Sequence, residues 1–523
     1  MQSLTCSAEA LAIHRVINQT ERPYPRQSNL PQRFEYWARV RPDAVAAVQD
    51  GREVSYRQLN RSANGVAHRL REAGVGVGAT VGVCVPRSPE MLTALVGVVK
   101  CGGTYVPLDP DWPDERLRVV LGDAGCRWVL SDRPGLARRL AGAGCQVVPV
   151  DAPARDVDPV YPVDPMAVAC INFTSGSTGR PKGVPIRHRG ILRLVSNATY
   201  GPMNNHSRVL QVTPVTFDIA TWEIWGALLN GGVSVMHPAE FMRLSRLGRT
   251  IREGGANICL LTTALFNSVV DEAPEALETM TTITTGGEAC SLRHMAKAVQ
   301  TYGPGRVVHL YGPTECTCTA TFYPLFEVPR EDTPLPIGRP IQNTRVYLLT
   351  DEASRLCEPG ESGEICLAGD GLAVGYLGQP ELTARTFVHR LVGTTPERLY
   401  RTGDRGHLLP SGDLVFDGRW DDQVKVNSYR IELGEITHHL NQHPTVKQSY
   451  VTVRDDRGDR ALVAFVVPTG PAATPTGLRE HLATQLPRYM VPAQIHLCEV
   501  FPLTPNGKID RRALLAACDP SAQ

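Results

Sequence analysis

Hydrophobic positions in the first third of the chain alternate between helix-like and strand-like spacing. Leu59, Val66 and Leu70 fall on one face of a helix, and the apolar run ATVGVCV follows after a glycine-rich turn. The alternation continues with a helix over residues 89–100, a strand at TYVPL, a helix over 114–121 and a strand at RWVLS. Repetition of strands and helices in this order predicts parallel sheets covered by helices.

Several further apolar strands are each followed by a polar loop. Candidate strands lie at 167–173, 209–214, 257–261, 282–285 and 307–311. The first is followed by TSGSTGRPKG, and the last two by GGEA and YGPTE. Ligands of open α/β sheets bind beyond the carboxyl ends of the strands, so these loops are candidate binding elements.

The pattern changes after about Thr344 to short strands with turn signals, TRVYLLT, GEICLAG, RLYRTGD and HLLPSGDLVF, which predict an antiparallel subdomain. Beyond GRWDDQ, one helix carries Leu433, Ile436 and Leu440 on one face, strands SYVTV and ALVAFVVP flank RDDRGD, and a helix covers 476–486. We therefore predict an α/β fold with two domains. Residues 1–420 form a large domain of parallel-type sheets with helices plus an antiparallel β subdomain, and residues 421–523 form a small mobile α+β lid. Residues 1 to about 30 are polar and predict a loosely attached lead-in.

Composition and charge exclude several classes of protein. With 42% hydrophobic and 20% charged residues, the 523-residue chain has the composition of an ordinary globular protein, and its net charge of +1 gives no electrostatic case for nucleic acid or membrane binding. No apolar run approaches 18 residues, and the N-terminus has no signal-peptide layout. The scattered cysteines predict reduced thiols in a cytoplasmic protein, and the one close pair, Cys316 and Cys318, lacks the second pair that a zinc site would need.

The loop TSGSTGRPKG has the composition of a polyphosphate cradle. It contains three glycines, four hydroxyl side chains and the cations Arg180 and Lys182. Glycines let a backbone approach a ligand, while hydroxyls, N–H groups and cations suit phosphate oxygens. The same composition also fits a plain surface loop, and the G-x-x-x-x-G-K-[ST] spacing of a P-loop is absent.

Ten strings now stand in a fixed order along the chain: SYRQLN, KCGGTYVPLDP, FTSGSTGRPKG, FDIATWE, YGPTE, GEICLAGDGLAVGY, YRTGD, GRWDDQVKVNSYRIELGE, LPRYMVP and PLTPNGKIDR. Together they resemble the adenylation domain of nonribosomal peptide synthetases, within the superfamily that includes acyl-CoA synthetases and luciferases. The resemblance covers residues 30–515. It implies that a substrate carboxylate attacks the α-phosphorus of ATP to give an acyl-adenylate and pyrophosphate. Such a site needs cations and fixed donors at the phosphoryl oxygens.

The resemblance also implies an ATP site. Thr314 would contact the α-phosphate and Glu315 would carry Mg²⁺, while Asp404 would bind the ribose hydroxyls, although the alternative for Asp404 is a turn residue and for Arg419 a surface cation. Lys508 would bridge the substrate carboxylate and the α-phosphate. The implied catalytic residues are Lys508, Thr314, Glu315 and Lys182. The implied nucleotide-binding residues are Thr174, Ser175, Gly176, Ser177, Thr178, Gly179, Lys182, Gly287, Glu288, Ala289, Tyr311, Gly312, Thr314, Asp404, Arg419 and Lys508.

The resemblance places Asp218 of FDIATWE where amino-acid-activating members hold the substrate ammonium; a helix N-cap is the alternative. Only Asp218 and Lys508 are charged in this pocket, so a charged substrate side chain would remain unpaired at a cost of several kcal/mol. The pocket therefore predicts a neutral, small-to-medium, mainly apolar amino acid; its mild polarity also allows a hydroxylated one, and α- and β-amino acids both stay open. The implied pocket residues are Phe217, Asp218, Ile219, Trp222, Leu260, Thr284, Gly286, Leu310, Cys318 and Thr319.

In a second half-reaction, members of the family rotate the lid about a hinge, here Asp421, and a carrier-protein phosphopantetheine thiol takes the acyl group. Three positions depart from the family pattern: His309 replaces an asparagine, Ser428 replaces a glycine and Val374 replaces an arginine. Ser428 stands where the thiol arm approaches, so it puts the thiolation geometry in question.

The chain ends soon after Leu515 without a carrier-protein motif, so we expect a freestanding enzyme or an excised domain with a carrier protein acting in trans. An MbtH-like protein is a further candidate partner. Two other functions stay open: an acyl-CoA or amide ligase with the same first step, and an inactive binding module.

Overall fold

The computed structural model describes residues 2–133, 135–140, 143–176, 179–238, 242–328, 334–350, 354–420, 423–426, 429–456, 459–503 and 509–517. These residues form two compact units. The first lies within Met1–Pro110, Leu121–Asn172 and Gly183–Trp420, and the second within Asp111–Val120, Phe173–Lys182 and Asp421–Gln523.

Up to residue 420 the elements are, in chain order, β1 (Gln2–Ser3), α1 (Ala8–Ile17), α2 (Leu30–Val40), β2 (Val45–Gln49), β3 (Arg52–Ser55), α3 (Tyr56–Glu72), β4 (Thr80–Val83), α4 (Pro89–Lys100), β5 (Thr104–Pro107), α5 (Asp114–Asp123), β6 (Trp128–Leu130), α6 (Leu136–Arg139), β7 (Gln146–Val148), β8 (Val168–Thr174), β9 (Lys182–Arg187), α7 (His188–Val195), β10 (Arg208–Gln211), α8 (Asp218–Leu228), β11 (Val233–Met236), α9 (Leu244–Gly254), β12 (Ile258–Thr262), α10 (Thr263–Glu272), β13 (Thr282–Gly286), α11 (Leu292–Tyr302), β14 (Val307–Tyr311), β15 (Thr321–Pro324), β16 (Arg339–Pro340), β17 (Thr344–Leu349), β18 (Gly363–Gly369), α12 (Pro380–Thr386), β19 (Phe387–Val392), β20 (Thr395–Leu408) and β21 (Leu414–Arg419). Beyond it they are β22 (Gln423–Val426), β23 (Tyr429–Glu432), α13 (Leu433–Asn441), β24 (Val446–Asp456), β25 (Asp459–Pro468), α14 (Pro475–Gln485), β26 (Gln494–Leu497) and α15 (Arg511–Ala516).

Two large sheets of the first unit contain the predicted parallel strands. One has the strand order β7-β6-β4-β5-β8-β9, with parallel pairing from β7 through to β8. The other has the order β16-β15-β14-β13-β12-β10-β11-β2-β3, parallel from β14 to β2 and antiparallel at both edges. Helices α3 and α4 and the apolar helix α8 contribute buried side chains to one core cluster with these strands. The predicted α/β class is confirmed.

The third sheet of this unit is the predicted antiparallel subdomain. Its strand order is β1-β19-β20-β18-β17, and β21 also pairs with β20. All the pairings among β17 to β21 are antiparallel, and only the short β1 pairs in parallel. The hairpin of β20 and β21 brings Asp404 opposite Arg419.

The prediction of a loosely attached N-terminal lead-in is wrong. Helix α1 begins after the N-cap Ser7, and its Ala10 and His14 are buried. The backbone N–H of Leu348 donates to His14 Nε2, and the Asn18 amide exchanges hydrogen bonds with the backbone of Val346. The segment is polar because its polar side chains bond the backbone of β17, and composition alone cannot distinguish this arrangement from a solvated tail.

The second unit has its own small core. Strands β24, β25 and β26 form one sheet, β22 and β23 form a hairpin, and α13 and α14 share a hydrophobic cluster with them. The predicted helix over 476–486 is α14, displaced by one residue at each end. The same unit also includes residues 173–182, which carry most of the candidate phosphate loop.

Candidate functional site

The predicted pocket residues meet at the carboxyl ends of three neighbouring parallel strands. Leu260 on β12 lies opposite Thr284 on β13, and Gly286 on β13 lies opposite Leu310 on β14. A Cβ at Gly286 would lie 2.1 Å from the carbonyl oxygen of Leu310, so this position requires glycine. The loops that follow β13 and β14 leave the sheet at the same edge, and they contain the predicted residues Gly287, Glu288, Ala289, Gly312, Thr314 and Glu315.

Asp218 is joined directly to the loop after β14. Thr314 Oγ1 donates a hydrogen bond of 2.6 Å to Asp218 Oδ2. The N-cap alternative for Asp218 is wrong, since Phe217 occupies the N-cap of α8 and Asp218 is the first helical residue. Its carboxylate is therefore positioned by a tertiary contact and not by helix capping.

Glu315 is fully buried and bonded to a tyrosine that was not among the predicted site residues. Tyr376 Oη donates to Glu315 Oε1 at 2.7 Å, and the backbone N–H of Ala373 donates to the carbonyl of Glu315 at 2.9 Å. Tyr376 ends the string GLAVGY, so its place in that motif was the available signal. The contact orients a single buried carboxylate.

A second network connects Tyr311 to the hairpin of β20 and β21. Tyr311 Oη donates to Asp404 Oδ2 at 2.5 Å, and Arg419 Nη1 bonds Asp404 Oδ1. Burial, and then the charge of Asp404, raise the pKa of the Tyr311 hydroxyl well above its usual value. Phe416, also absent from the predicted residues, packs its ring 6.4 Å from that of Tyr311. Asp404 and Arg419 are thus a partly buried pair, not a turn residue and a surface cation.

The pocket wall after β14 is held by a buried arginine that no motif indicated. Arg193 on α7 is fully buried, and its guanidinium donates to the carbonyls of Cys316 at 2.7 Å and Thr319 at 3.0 Å. Between them Thr317 and Cys318 have φ values of +54° and +70°. Residues with side chains rarely adopt this left-handed backbone, so the arginine contacts help to hold the loop in it.

Most of the predicted pocket residues are buried, and their side chains are chiefly apolar. Thr284 Oγ1 donates to the carbonyl of Cys259 at 2.7 Å, and Thr319 Oγ1 donates to Cys318 Sγ at 3.7 Å. Burial, followed by the charge of Asp218, raises the pKa of the Cys318 thiol well above its usual value, so the thiol stays neutral. The buried members of the predicted set are Ile219, Trp222, Leu260, Thr284, Gly286, Leu310, Cys318 and Thr319.

His309 bonds the backbone of a neighbouring loop. Its Nδ1 lies 2.9 Å from the carbonyl oxygen of Pro336, which makes that nitrogen the donor. Burial lowers the pKa of His309 to about 4, so the ring is neutral at pH 7.

The candidate phosphate loop, in the second unit, is contacted by residues of β23 and α13. Ser175 Oγ donates to the carbonyl of Arg430 at 2.7 Å and accepts from the backbone N–H of Glu432 at 3.1 Å. Gly179 has a φ of +84°, and a Cβ there would lie 2.5 Å from the ring of His438. Ser177 and Thr178 lie outside the described residues.

Two carboxylates of the same unit contact donors of this loop. Lys182 Nζ lies 3.1 Å from Glu432 Oε1, and the backbone N–H of Gly176 donates to Glu435 Oε2 at 3.0 Å. The other oxygen of Glu435 accepts from Arg116 at 2.7 Å, in a pair that is almost wholly buried. Carboxylate oxygens thus occupy donors that would otherwise suit phosphate oxygens.

Residues 34–377 match the AMP-binding enzyme family, and residues 435–508 match the AMP-binding enzyme C-terminal domain. The chain belongs to the AMP-binding enzyme family. Surfactin synthase subunit 1 of Bacillus subtilis (strain 168) is 39% identical over 518 residues, which are 98% of this chain and 14% of that protein. Bacitracin synthase 1 of Bacillus licheniformis is 38% identical over 519 residues, 98% of this chain and 10% of that protein. The chain spans a small part of these curated relatives.

A solved structure points the same way for this AMP-binding enzyme. The structure of holo-PA1221, described as a nonribosomal peptide synthetase protein containing adenylation and PCP domains bound to a vinylsulfonamide inhibitor, superposes with a TM-score of 0.86. The two chains are 33% identical, and the match covers 94% of this chain and 85% of that one. The chain is therefore an adenylation domain of the nonribosomal peptide synthetase type, an AMP-forming ligase.

Some predicted features of this adenylation domain lie outside the described residues: Lys508, the hinge Asp421 and the departing residue Ser428. Among the helices that the structure describes, none is long and apolar enough to cross a membrane. The described ranges also contain no cluster of three or more His, Cys, Asp or Glu side chains that could hold a metal, and Cys316 and Cys318 therefore belong to no such cluster.

Proposed function

We propose that this adenylation domain activates a neutral, small-to-medium amino acid with a mainly apolar side chain, and then transfers it to the phosphopantetheine thiol of a carrier protein. The observation that carries this proposal is the 2.6 Å hydrogen bond from Thr314 to Asp218. It joins the carboxylate proposed for the substrate ammonium to the hydroxyl proposed for the α-phosphate. Adenylate formation must align those two ends of its substrates.

In the proposed reaction a carboxylate oxygen of the amino acid attacks the α-phosphorus of ATP. A new P–O bond forms as the bond to the leaving pyrophosphate breaks, so negative charge gathers on the phosphoryl oxygens. Thr314 contacts the α-phosphate, Lys182 holds the departing pyrophosphate, and Lys508 holds the attacking carboxylate. Ser175 and Gly176 have donors of the kind that this loop would need, although in this structure the donors bond Arg430 and Glu435.

Glu315 suits a magnesium ion that is held mainly by substrate. Magnesium sites at nucleotides use one or two carboxylates and complete the coordination shell with phosphates and water. Glu315 supplies one buried carboxylate, oriented by the hydroxyl of Tyr376. When bound, the ion would neutralise charge on the phosphates.

The nucleoside end of ATP is assigned to the Tyr311 network. The ring of Tyr311 offers a face for adenine opposite Gly287–Ala289, and the Asp404 carboxylate accepts from the ribose hydroxyls. The bond from Arg419 orients the Asp404 carboxylate. This assignment is supported by the partial burial of the whole network.

The pocket suits a mainly apolar substrate side chain and also allows a hydroxylated one. The hydroxyls of Thr284 and Thr319 already donate to groups of the chain itself, as described above. Their oxygens can still accept, and Trp222 Nε1 is buried without an acceptor among the described residues, so a substrate hydroxyl would find partners in this pocket.

Carrier loading is supported by the domain composition of a solved relative. PA1221 contains both an adenylation and a PCP domain. Rotation about Asp421 and entry of a thiol past Ser428 remain part of the proposal, and so does any dependence on an MbtH-like protein.

The first experiment is ATP–pyrophosphate exchange across an amino-acid panel. We expect exchange with neutral apolar amino acids and none with lysine, arginine, aspartate or glutamate. Asp218→Asn should raise the KM for the amino acid by about a hundredfold, because it removes a charge-assisted contact worth roughly 3 kcal/mol. The exposed Asp43→Asn is the matched control. Exchange with fatty or aryl acids alone would overturn the assignment of Asp218.

A second experiment separates the two half-reactions. Lys508→Ala should nearly abolish adenylate formation and leave transfer from supplied aminoacyl-adenylate largely intact. Equal loss of both steps would contradict the role of Lys508. Comparing a holo carrier protein with coenzyme A and simple amines as acceptors distinguishes carrier loading from the acyl-CoA or amide ligase alternative, and absence of any exchange would favour a binding module.

A further inference from the structure

A cavity of about 690 Å³ in the first unit is lined by arginines that the proposed function does not use. Its wall includes Glu21, Asp370 and Glu397 as the only carboxylates among its described lining residues. Six arginines face them: Arg22, Arg26, Arg187, Arg189, Arg345 and Arg398. None of these residues belongs to the candidate ATP or amino-acid site. We call this space the arginine cavity.

Two of the three carboxylates are already paired. Arg26 contacts Asp370 at 3.0 Å, and Arg345 bonds both oxygens of Glu397 at 2.7 and 2.8 Å. Glu21 is exposed at the surface. The carboxylates of the arginine cavity therefore leave several of its cations without a counter-charge.

Arg187 and Arg189 are the half-buried arginines of the cavity for which the described residues supply no side-chain hydrogen bond or ion pair. Arg187 ends β9 and Arg189 lies in the first turn of α7. Both side chains are half-buried, and the Nε atom of each is buried with no hydrogen-bond acceptor among the described residues. A buried guanidinium N–H without an acceptor is costly, so the arrangement points to an acceptor supplied by a ligand.

The surroundings of these two arginines make their positive charge still less favourable. The N-terminal end of α7 carries the positive end of the helix dipole, yet its first turn holds no acidic residue. Burial first, and then the charge of Arg189, lower the pKa of Arg187; burial and the charge of Arg187 lower that of Arg398 to about 10. An anion in the cavity would offset the cost of burying these positive charges close to one another and to the positive end of the helix dipole.

Arg398 contributes charge but not its hydrogen-bonding fork. Its Nη1 donates to the carbonyl of Ala373 at 2.8 Å, and its Nη2 donates to that of Val374 at 2.6 Å. These bonds hold Arg398 in place. Arg187 and Arg189 are then the half-buried side chains left to make direct contacts with a ligand, while the exposed Arg22 adds positive charge.

We propose that the arginine cavity binds a small oxyanion of the phosphate class, held by the guanidinium groups of Arg187 and Arg189. The planar fork of arginine matches the spacing of phosphate oxygens and can bond two of them at once. The cavity has room for orthophosphate or for a phosphate monoester. It is a binding site apart from the ATP chemistry, so its test does not depend on the identity of the amino acid.

The test is the shift in Tm of the intact domain on titration with orthophosphate at constant ionic strength. The pair variant is R187K/R189K, which keeps both charges but removes both forks. The matched control is R249K/R252K, on the exposed side of α9. Any phosphate bound by the ATP site is common to all three proteins. We expect half-saturation to need about tenfold more phosphate in R187K/R189K and to be unchanged in the control.

Equal titrations of wild type and R187K/R189K would overturn the proposal, because they would indicate only a diffuse attraction to positive charge. If R187K/R189K does not fold, two other measurements replace it. One is the phosphate titration of R22Q, and the other is the NMR signals of the arginine Nε–H groups in the wild-type protein. Phosphate should then shift two buried Nε–H signals and bind R22Q less tightly; no shift would overturn the site. Methyl phosphate distinguishes the sources: binding as tight as orthophosphate indicates a phosphate monoester, and weaker binding indicates free phosphate.

Discussion

Two pairs of carboxylates in this protein are held by opposite kinds of donor. In the first unit, the described side-chain donors to Asp218 and Glu315 are hydroxyl groups. In the second unit, Glu432 and Glu435 accept from a lysine and an arginine. A hydroxyl orients a carboxylate and leaves its negative charge for a ligand cation, whereas an ion pair neutralises both partners.

The difference predicts opposite consequences of removing a charge. In the first unit, loss of Asp218 or Glu315 should remove a contact that the proposed ammonium or metal ion needs. In the second unit, a carboxylate competes with phosphate for Lys182 and for the N–H of Gly176. Its removal should therefore help the nucleotide to bind.

The largest effect is expected for Glu315→Gln. The change removes the carboxylate assigned to magnesium, and a bound metal contributes several kcal/mol to charge stabilisation, so exchange should fall by at least about a hundredfold. The measurement is ATP–pyrophosphate exchange as a function of Mg²⁺ concentration. Tyr376→Phe is the matched control, because it removes only the orienting hydroxyl and should lose about tenfold or less. Equal losses in the two variants would contradict a metal role for Glu315.

Asp404→Asn should have the next largest effect. It weakens the charge-assisted bond from Arg419 and the proposed bonds to ribose, a loss of about 1.5–3 kcal/mol, or roughly ten- to a hundredfold in kcat/KM for ATP. The KM for the amino acid should hardly change. Asp413→Asn, at the turn between β20 and β21, serves as the control. A change confined to the amino-acid KM would place Asp404 outside the nucleotide site.

The order of strands and helices was predictable because each leaves a local pattern. The strand predicted at 307–311 is β14 with the same bounds, and the strand at 282–285 is β13 with one residue added. The motif positions also predicted residues that lie on the neighbouring strands β12, β13 and β14. Local periodicity and ordered strings are properties that a single sequence records.

The parts of the site that were not predicted from the sequence are contacts between distant segments. Arg193 reaches carbonyls 123 and 126 residues away, and Gly176 donates to a carboxylate 259 residues away. Arg193 is one of several basic residues in α7, and its partners are backbone atoms that have no sequence signature. Helix α1, in the N-terminal segment that was predicted to be loosely attached, was missed for the same reason, since its hydrogen-bond partners lie on β17.

Glu223 is another carboxylate of the first unit that accepts from neutral donors. Its four described hydrogen bonds come from the backbone N–H of Val212 and from the backbone N–H and hydroxyl of Thr213. Burial raises its pKa to about 8, against 4.5 for an ordinary glutamate. Between these values the folded state holds a proton that the unfolded state releases. The free energy of unfolding should therefore fall as pH rises from about 4.5 to 8, by about 1.4 kcal/mol per pH unit, and level off above 8.

The test compares wild type with Glu223→Gln, which mimics the protonated acid. Denaturant unfolding is followed by tryptophan fluorescence at several pH values between 5 and 8, since Trp222 and Trp225 flank this residue on α8. The difference between the two proteins should shift in favour of the variant as pH rises. A difference independent of pH would mean that Glu223 stays ionised, and that neutral donors suffice to keep a buried carboxylate charged.

The smallest effect, and the one with opposite sign, is expected for Glu432→Gln. The change removes the ion pair with Lys182 while it keeps an acceptor for Gln423, which bonds the same oxygen at 2.9 Å. Lys182 then meets the phosphates of ATP without competition from Glu432. We expect the KM for ATP to fall roughly fivefold, equivalent to about 1 kcal/mol.

The effect should shrink as salt is added, because both the competing pair and the phosphate contact are electrostatic. Glu361→Gln, which removes the more exposed ion pair with Arg355, is the matched control and should leave the KM for ATP unchanged. A higher KM in Glu432→Gln would mean that the glutamate positions Lys182 for phosphate instead of competing with it. In that case the carboxylates of both units would act in the same direction, and the contrast between hydroxyl-held and cation-held carboxylates would fail.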